Sequence, residues 1–270
     1  MRQRIGIYGG TFDPIHNGHL KVAEAILKAF AMDLLLFVPA YVPPHKRRVE
    51  ISSPYHRLAM LVLATARSRK MLVSSIELEA PSRPYTIDTL RQLQAHYENA
   101  LLFFVMGTDS FKDVTSWRDY AVILSEYNCI VAVRPSSHGP QDDHEFSHDG
   151  NHTYSHHADN RSDSEDSHEE MEKERERDEE SEDSREDSRE DSKDIADHLD
   201  EALQAHIVDL RGKKSLPKGT LKSPRIYLTD YVKIGVSATD VREKASRGEA
   251  IDDMVPKDVA RYIVKYRLYQ

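Results

Sequence analysis

Residues 4–30 read RIGIYGGTFDPIHNGHLKVAEAILKAF, and their order of patterns decides the fold. From Gln3 to Tyr8 the chain is short, β-rich and followed at once by Gly9 and Gly10, the profile of a buried strand ending in a turn. From Leu20 onward apolar residues recur at helical spacing, at Leu20, Ala23, Ile26, Leu27 and Phe30. The theme then repeats. Strand-like runs lie at Leu34–Val38, Leu72–Ile76, Leu101–Met106, Asn128–Val133 and Arg225–Leu228. Helical stripes lie between them at Leu58, Leu61, Val62 and Thr65 and at Ile87, Leu90, Leu93 and Tyr97. Alternating strand and helix predict an α/β fold, a Rossmann-like, doubly wound and mainly parallel sheet. Such a sheet takes ligands beyond the carboxyl ends of its strands, so the loops after Tyr8, Val38, Met106 and Leu228 are where chemistry is sought.

The first of those loops is the most unusual. Gly9 and Gly10 let backbone N–H groups approach a phosphate, and Thr11 adds a hydroxyl. Pro14 stiffens the path and Asn17 is the expected helix cap. His16 and His19 then stand three apart at a helix start, where both imidazoles can face one ligand. A lone histidine here is more often a cap or a packed side chain, and a pair suggests a metal. Zinc helices, however, use histidines four apart plus a third ligand, which nothing nearby supplies. The pair fits better as donors to a phosphate whose charge grows in a transition state.

Near the other end, IGVSATDVREKAS at 234–246 places Ser237 three residues before Asp240, a capping pattern that marks a helix N-terminus. Such an end offers free N–H groups and a favourable dipole to phosphate, and Arg242 adds a forked cation one turn on. Alone, this stretch reads as an ordinary capped surface helix.

Together the two segments resemble a known superfamily. GGTFDPIHNGHL, with His16, Asn17, Gly18 and His19, is similar to the HxGH signature of the nucleotidyltransferases, and the 234–246 stretch resembles their second signature. The resemblance implies that the histidines hold the α-phosphate of ATP, with Gly9, Gly10, Thr11 and Phe12 beside them, while Ser237, Thr239 and Arg242 hold the outer phosphates. YVPPHKRR at 41–48 resembles the PPHK loop of the nicotinate-nucleotide adenylyltransferases, which puts His45 and Lys46 at substrate phosphates, Lys46 with a catalytic role. RPYTIDTL at 83–90 resembles that group's SYTIDTL segment, pointing to Tyr85 and Thr86, although Pro84 replaces its serine. GTDSFKDVTSW at 107–117 is similar to its GxDxxxxxxxW element, so Gly107 and Asp109 would bind substrate groups and Trp117 would stack on a pyridine ring. Arg134 is a further ligand contact by position.

The resemblance covers about residues 1–135 and 195–270, including the closing RYIVKYRLY, and implies one nucleotidyltransferase domain. Its expected reaction is AMP transfer from ATP, with Mg²⁺ as the ATP complex, to nicotinate mononucleotide, giving deamido-NAD and pyrophosphate. The amide mononucleotide, or both, is the alternative acceptor. Pantetheine-phosphate adenylyltransferase shares the fold and the HxGH element, but the IDTL and GxDxxxxxxxW elements argue against it.

Residues 136–194 interrupt the alternation as an acidic, histidine-rich, low-complexity insertion with the period-four run EDSREDSREDSK, expected to be disordered. Folded structure is expected to resume near Ile195, where Ile195, Leu199, Ala202, Leu203, His206 and Leu210 form an amphipathic stripe. The charge is as uneven as the pattern. Residues 136–206 hold 26 Asp and Glu against 7 Lys and Arg, so the formal net of −9 hides a basic body. His152, His156 and His157 among acids suit weak binding of a divalent transition metal, so a metal-buffering or interaction protein is the reading from another class. The bases gather in phosphate-binding loops with no RNA-binding signature, which argues against nucleic acid. One cysteine, Cys129, in an apolar run excludes an internal disulfide. With neither a bilayer-length apolar stretch nor a signal-peptide pattern, the expected location is the cytoplasm, without membrane contact.

Overall fold

Seven strands among the described residues form one sheet: β1 (Arg4–Gly10), β2 (Leu34–Pro39), β3 (Met71–Val73), β4 (Leu101–Gly107), β5 (Asn128–Ala132), β6 (Ile207–Asp209) and β7 (Ile226–Thr229). The computed structural model describes residues 2–41, 51–80, 82, 84–133, 195–213, 216, 223–232 and 235–270. The strand order is β3-β2-β1-β4-β5-β7-β6 and every pairing is parallel, so the expected Rossmann-like sheet is present. The order reverses between β1 and β4, which opens a crevice beyond Gly10 and Gly107.

Side-chain alternation explains why the sheet is buried on both faces. Ile5, Ile7, Leu36, Val38, Leu102, Phe104, Met106, Cys129 and Val131 point to one core, and Leu35, Phe37, Phe103, Val105 and Ile130 to the other. Each such side chain contributes roughly 1.5–3 kcal/mol by leaving water. The first core is covered by α3 (Thr86–His96) and α5 (Tyr120–Glu126), the second by α1 (Asn17–Ala29), α2 (Pro54–Thr65) and two C-terminal helices, α7 (Ala238–Ser246) and α8 (Lys257–Tyr266). Packing is tight at Gly6: a Cβ there would meet the Met32 sulfur at 3.0 Å and the Leu35 side chain at 3.3 Å, so those side chains would have to give way.

Four expectations are corrected. Asn17 is not the cap of α1; His16 occupies that position in extended backbone, and Asn17 instead ties the helix start to a distant segment through Met254 and Asp253 carbonyls at 2.8 and 2.9 Å. The buried face of α2 is Arg57, Met60, Leu61 and Thr65, whereas Val62 is 51% exposed; an arginine in the core-facing row shifted the apparent stripe by a residue. The strand at 72–76 is shorter, Met71–Val73. The stripe from Ile195 to Leu210 is not one helix. Asp200 caps a single turn, α6 (Glu201–Gln204), by accepting from the Leu203 N–H at 2.8 Å, and β-branched Ile207 and Val208 then pair with β7. Two short helices, α4 (Thr108–Lys112) and α5, left no periodicity long enough to read. The acidic insertion expected at 136–194 lies outside the described residues.

Candidate active site

The glycine pair does not form the turn. Gly9 and Gly10 are the last residues of β1, paired with Val38 and Pro39 of β2. A Cβ on Gly10 would meet the Phe12 ring at 2.9 Å, and one on Gly9 would meet Phe104 at 3.2 Å. The turn falls one step later, at Phe12, whose φ of 49° is a left-handed conformation that a bulky residue adopts only at a cost of about 1–3 kcal/mol. That turn drives the Phe12 ring inward, edge-on to Tyr8, Phe37 and His19 at 5.1–5.5 Å. Phe12 is therefore a support under His19, and only its backbone is available to a ligand.

Asp13–Pro14 is cis, and the chain reaches His16 within two more residues. The His16 and His19 rings stack at 3.7 Å with 28° between planes. His16 is 2% exposed and His19 half-buried. The His16 backbone N–H donates to His19 Nδ1 at 3.3 Å, which makes Nδ1 the acceptor and leaves the ring proton on Nε2. The two histidines thus stand together at the start of α1.

The second motif meets the first. Ser237 Oγ accepts from the Asp240 N–H at 3.1 Å, while the Asp240 carboxylate accepts from the Ser237 N–H at 3.0 Å, a complete capping box on α7. These Ser237 contacts hold the Asp240 carboxyl below its ordinary range, with His16 adding a smaller favourable field. Arg242 donates from Nη1 to the Asp13 carbonyl at 2.7 Å and from Nη2 to Thr239 Oγ1 at 3.1 Å. Segments separated by more than two hundred residues are thereby locked together at the carboxyl edge of β1.

Composition gave no hint of the buried charges beneath this junction. Asp13 is 3% exposed; its carboxylate accepts from the Tyr269 hydroxyl at 2.7 Å and the Ser52 N–H at 3.2 Å. Arg57, 1% exposed, donates to the carbonyls of Thr11 (2.7 Å), Ala40 (2.7 Å), Tyr41 (3.2 Å) and Ser52 (3.2 Å). Burial pulls the Arg57 guanidinium below its usual value, with Asp13, Tyr269 and Glu77 acting against that loss. Burial pushes the Glu77 carboxyl up, opposed by hydrogen bonds from Thr89 Oγ1, at 2.9 Å, and the Tyr41 N–H. Arg57 and Glu77 thus grip Tyr41 by its carbonyl and its N–H, at the point where the chain leaves β2. The one sequence signal for Arg57 is its phase, in register with Met60, Leu61 and Thr65 on a helix.

On the other side of β1, Gly107 closes β4 and Asp109 lies exposed on α4. Trp117 is half-buried, edge-on to Phe104 at 6.1 Å, and its indole N–H is buried without a hydrogen-bond partner among the described residues. Tyr85 caps α3, with Thr86 as its first residue. The Arg118 guanidinium sits 4.6 Å over the Tyr85 ring, so the neighbourhoods of Tyr85 and Trp117 adjoin. His45, Lys46 and Arg134 lie outside the described residues. Among those described, no group of three or more His, Cys, Asp or Glu could hold a metal ion, and no helix is long and apolar enough to cross a membrane.

Comparison with known proteins places this geometry. The cytidylyltransferase-like family model matches residues 7–244. A protein of Citrifermentans bemidjiense named as a probable nicotinate-nucleotide adenylyltransferase is 46% identical over 134 residues, 50% of this chain and 62% of that relative. A Geobacter sulfurreducens protein of the same name is 44% identical over 135 residues, again covering 62% of the relative. A third so named, from Thermoanaerobacter sp., is 30% identical over 268 residues, 99% of this chain and 94% of its own. The solved Plasmodium falciparum nicotinic acid mononucleotide adenylyltransferase complexed with NaAD superposes with a TM-score of 0.59 at 19% identity, covering 99% of this chain and 98% of its own, which establishes the common fold. With its two signature segments joined at one sheet edge, the chain belongs to the cytidylyltransferase-like family, and within it to the nicotinate-nucleotide adenylyltransferase branch.

Proposed function

We propose that this chain transfers AMP from Mg·ATP to nicotinate mononucleotide, yielding deamido-NAD and pyrophosphate, through one catalytic domain made of residues 1–135 and 195–270. The observation that carries the reading is the Arg242–Asp13 contact at 2.7 Å, which brings the His16–His19 pair and the capped start of α7 to one place. The mononucleotide phosphate attacks the α-phosphorus of ATP in line, its P–O bond forms as the bond to pyrophosphate breaks, and no covalent enzyme intermediate is needed. Such a reaction is catalysed mainly by positioning and by stabilising the developing charge.

In this reading His19 donates from Nε2 to the α-phosphate and His16 supports it from the stacked position. Backbone groups of Gly9, Gly10, Thr11 and Phe12 line the approach. Ser237, Thr239 and the N–H groups at the start of α7 take the outer phosphates, with Arg242 supplying positive charge there. Two of its guanidinium nitrogens are already engaged by protein, so Arg242 also orients the junction. Lys46 and His45 would meet phosphates from the loop that follows Tyr41. Tyr85, Thr86, Gly107, Asp109 and Trp117, with Arg134, are assigned to the mononucleotide. Mg²⁺ enters with ATP, held mainly through phosphate oxygens and water. The location expected for such an enzyme is the cytoplasm.

The test is product formation from Mg·ATP with nicotinate mononucleotide, nicotinamide mononucleotide and phosphopantetheine in separate assays, comparing kcat/KM. A strong preference for the first is expected. Equal use of the amide would make the enzyme dual-specific, and transfer to phosphopantetheine alone would overturn the assignment.

A further inference from the structure

We propose that Tyr269 is a positioning residue for this reaction, acting through Asp13 on the loop that carries His16 and His19; the inference rests on the function proposed above. The chain turns back after α8 at Arg267, in a left-handed conformation with φ of 51°. That turn brings the Tyr269 hydroxyl to Asp13 Oδ1 at 2.7 Å, across 256 residues of sequence. Asp13 lies three residues before His16 and is almost wholly buried, so each of its oxygens depends on a protein donor. Oδ1 has Tyr269, Oδ2 has the Ser52 N–H, and the main-chain oxygen has Arg242.

Removing the hydroxyl would leave a buried carboxylate oxygen without that donor, and the group would move toward water or another partner to recover the bond. Asp13 cannot move alone. Its carbonyl is held by Arg242, and the preceding Thr11 carbonyl is held by Arg57 at 2.7 Å. A displaced Asp13 therefore shifts the histidine loop against α7. The Tyr269 ring packs on the hydrophobic core, so a phenylalanine keeps the packing and loses the hydroxyl alone, which donates to Asp13 and takes a hydrogen bond from the Ser52 side chain. Burial, with the Asp13 charge, raises the phenol well above its ordinary value, which keeps the hydroxyl protonated across the working pH range.

The experiment compares the full-length protein with Tyr269→Phe in steady-state kinetics, thermal melting and hydrogen–deuterium exchange. The expected result is a fall in kcat of about tenfold with KM for both substrates within about twofold. Faster exchange is expected only in peptides covering 9–19 and 236–243. Asp13→Asn, which puts an amide NH2 where one of the two accepting oxygens stood and so loses the bond from Tyr269 or from Ser52, is expected to show the same pattern. Unchanged kcat and exchange in Tyr269→Phe would overturn the proposal, as would an effect confined to KM or faster exchange spread equally through β5. Wild-type protein that transfers AMP to none of the three acceptors would sink the functional reading instead, while the exchange measurements would still decide whether Tyr269 holds the loop.

Discussion

His19 shows how one hydrogen bond can specify a chemical role. Its Nδ1 accepts from the His16 backbone, so the ring is oriented and its proton assigned before any ligand arrives, and that preorganisation is what electrostatic catalysis requires. His19→Ala is expected to lower kcat by about 10²–10³-fold with a small change in melting temperature, because the ring is only half-buried. Near-normal turnover in a folded variant would remove His19 from the reaction. Arg57 presents the opposite balance. Its guanidinium satisfies four carbonyls, so Arg57→Ala leaves buried acceptors bare and is expected to cost about 3–5 kcal/mol in denaturant unfolding. The histidines were legible because their spacing and flanking residues spell out a chemistry. Arg57, Asp13 and Tyr269 were not, because their meaning lies in contacts between segments, and no local pattern records that a charged side chain will be buried.

At the scale of elements, period and punctuation carried the fold as far as each element was long. The strands β1, β2, β4 and β5 and the helices α1 and α3 are buried on both sides or on one clean stripe, so their patterns could be read directly. β6 is three residues long and half-buried, and exists because β7 offers it an edge; its apolar residues therefore read equally well as helix. The start of α7 was read correctly from Ser237 and Asp240 alone, since a capping box is a local device. Its pH behaviour follows from the sign of the Asp240 shift. The carboxyl is lowered in the folded state by the Ser237 contacts, so its contribution is fully present above the unfolded value near 3.9 and is lost as pH falls through the folded value. The stability difference between wild type and Asp240→Asn is accordingly expected to shrink below about pH 4; a difference that stayed constant into stronger acid would contradict the capping role. Ser237→Ala should cost about 1 kcal/mol at neutral pH.

For the whole molecule, the uneven charge separates two jobs that share one chain. The acids concentrate at 136–206, while the remainder carries 30 bases against 20 acids, a surplus that favours approach of the anionic nucleotides proposed as substrates. Hydrogen bonds made by Asn17, Arg242 and Tyr269 join residues of 2–133 to residues of 195–270 at the candidate site, and β5 pairs directly with β7 across the interruption. Among the described residues, the two flanking stretches thus supply the sheet, both cores and both signature segments. Replacing 138–194 by a short glycine-serine linker is therefore expected to leave kcat within about threefold of wild type. The same deletion removes far more acids than bases, so the net charge of the protein becomes more positive. KM for ATP should then fall at low ionic strength, and the difference from wild type should close as salt is raised past about 0.15 M. Kinetics of the two proteins across a salt series check both expectations together. Loss of turnover in a deletion variant that still melts cooperatively would show that the acidic segment belongs to the catalytic machinery, and an equal KM at every salt concentration would show that its charge does not reach the site.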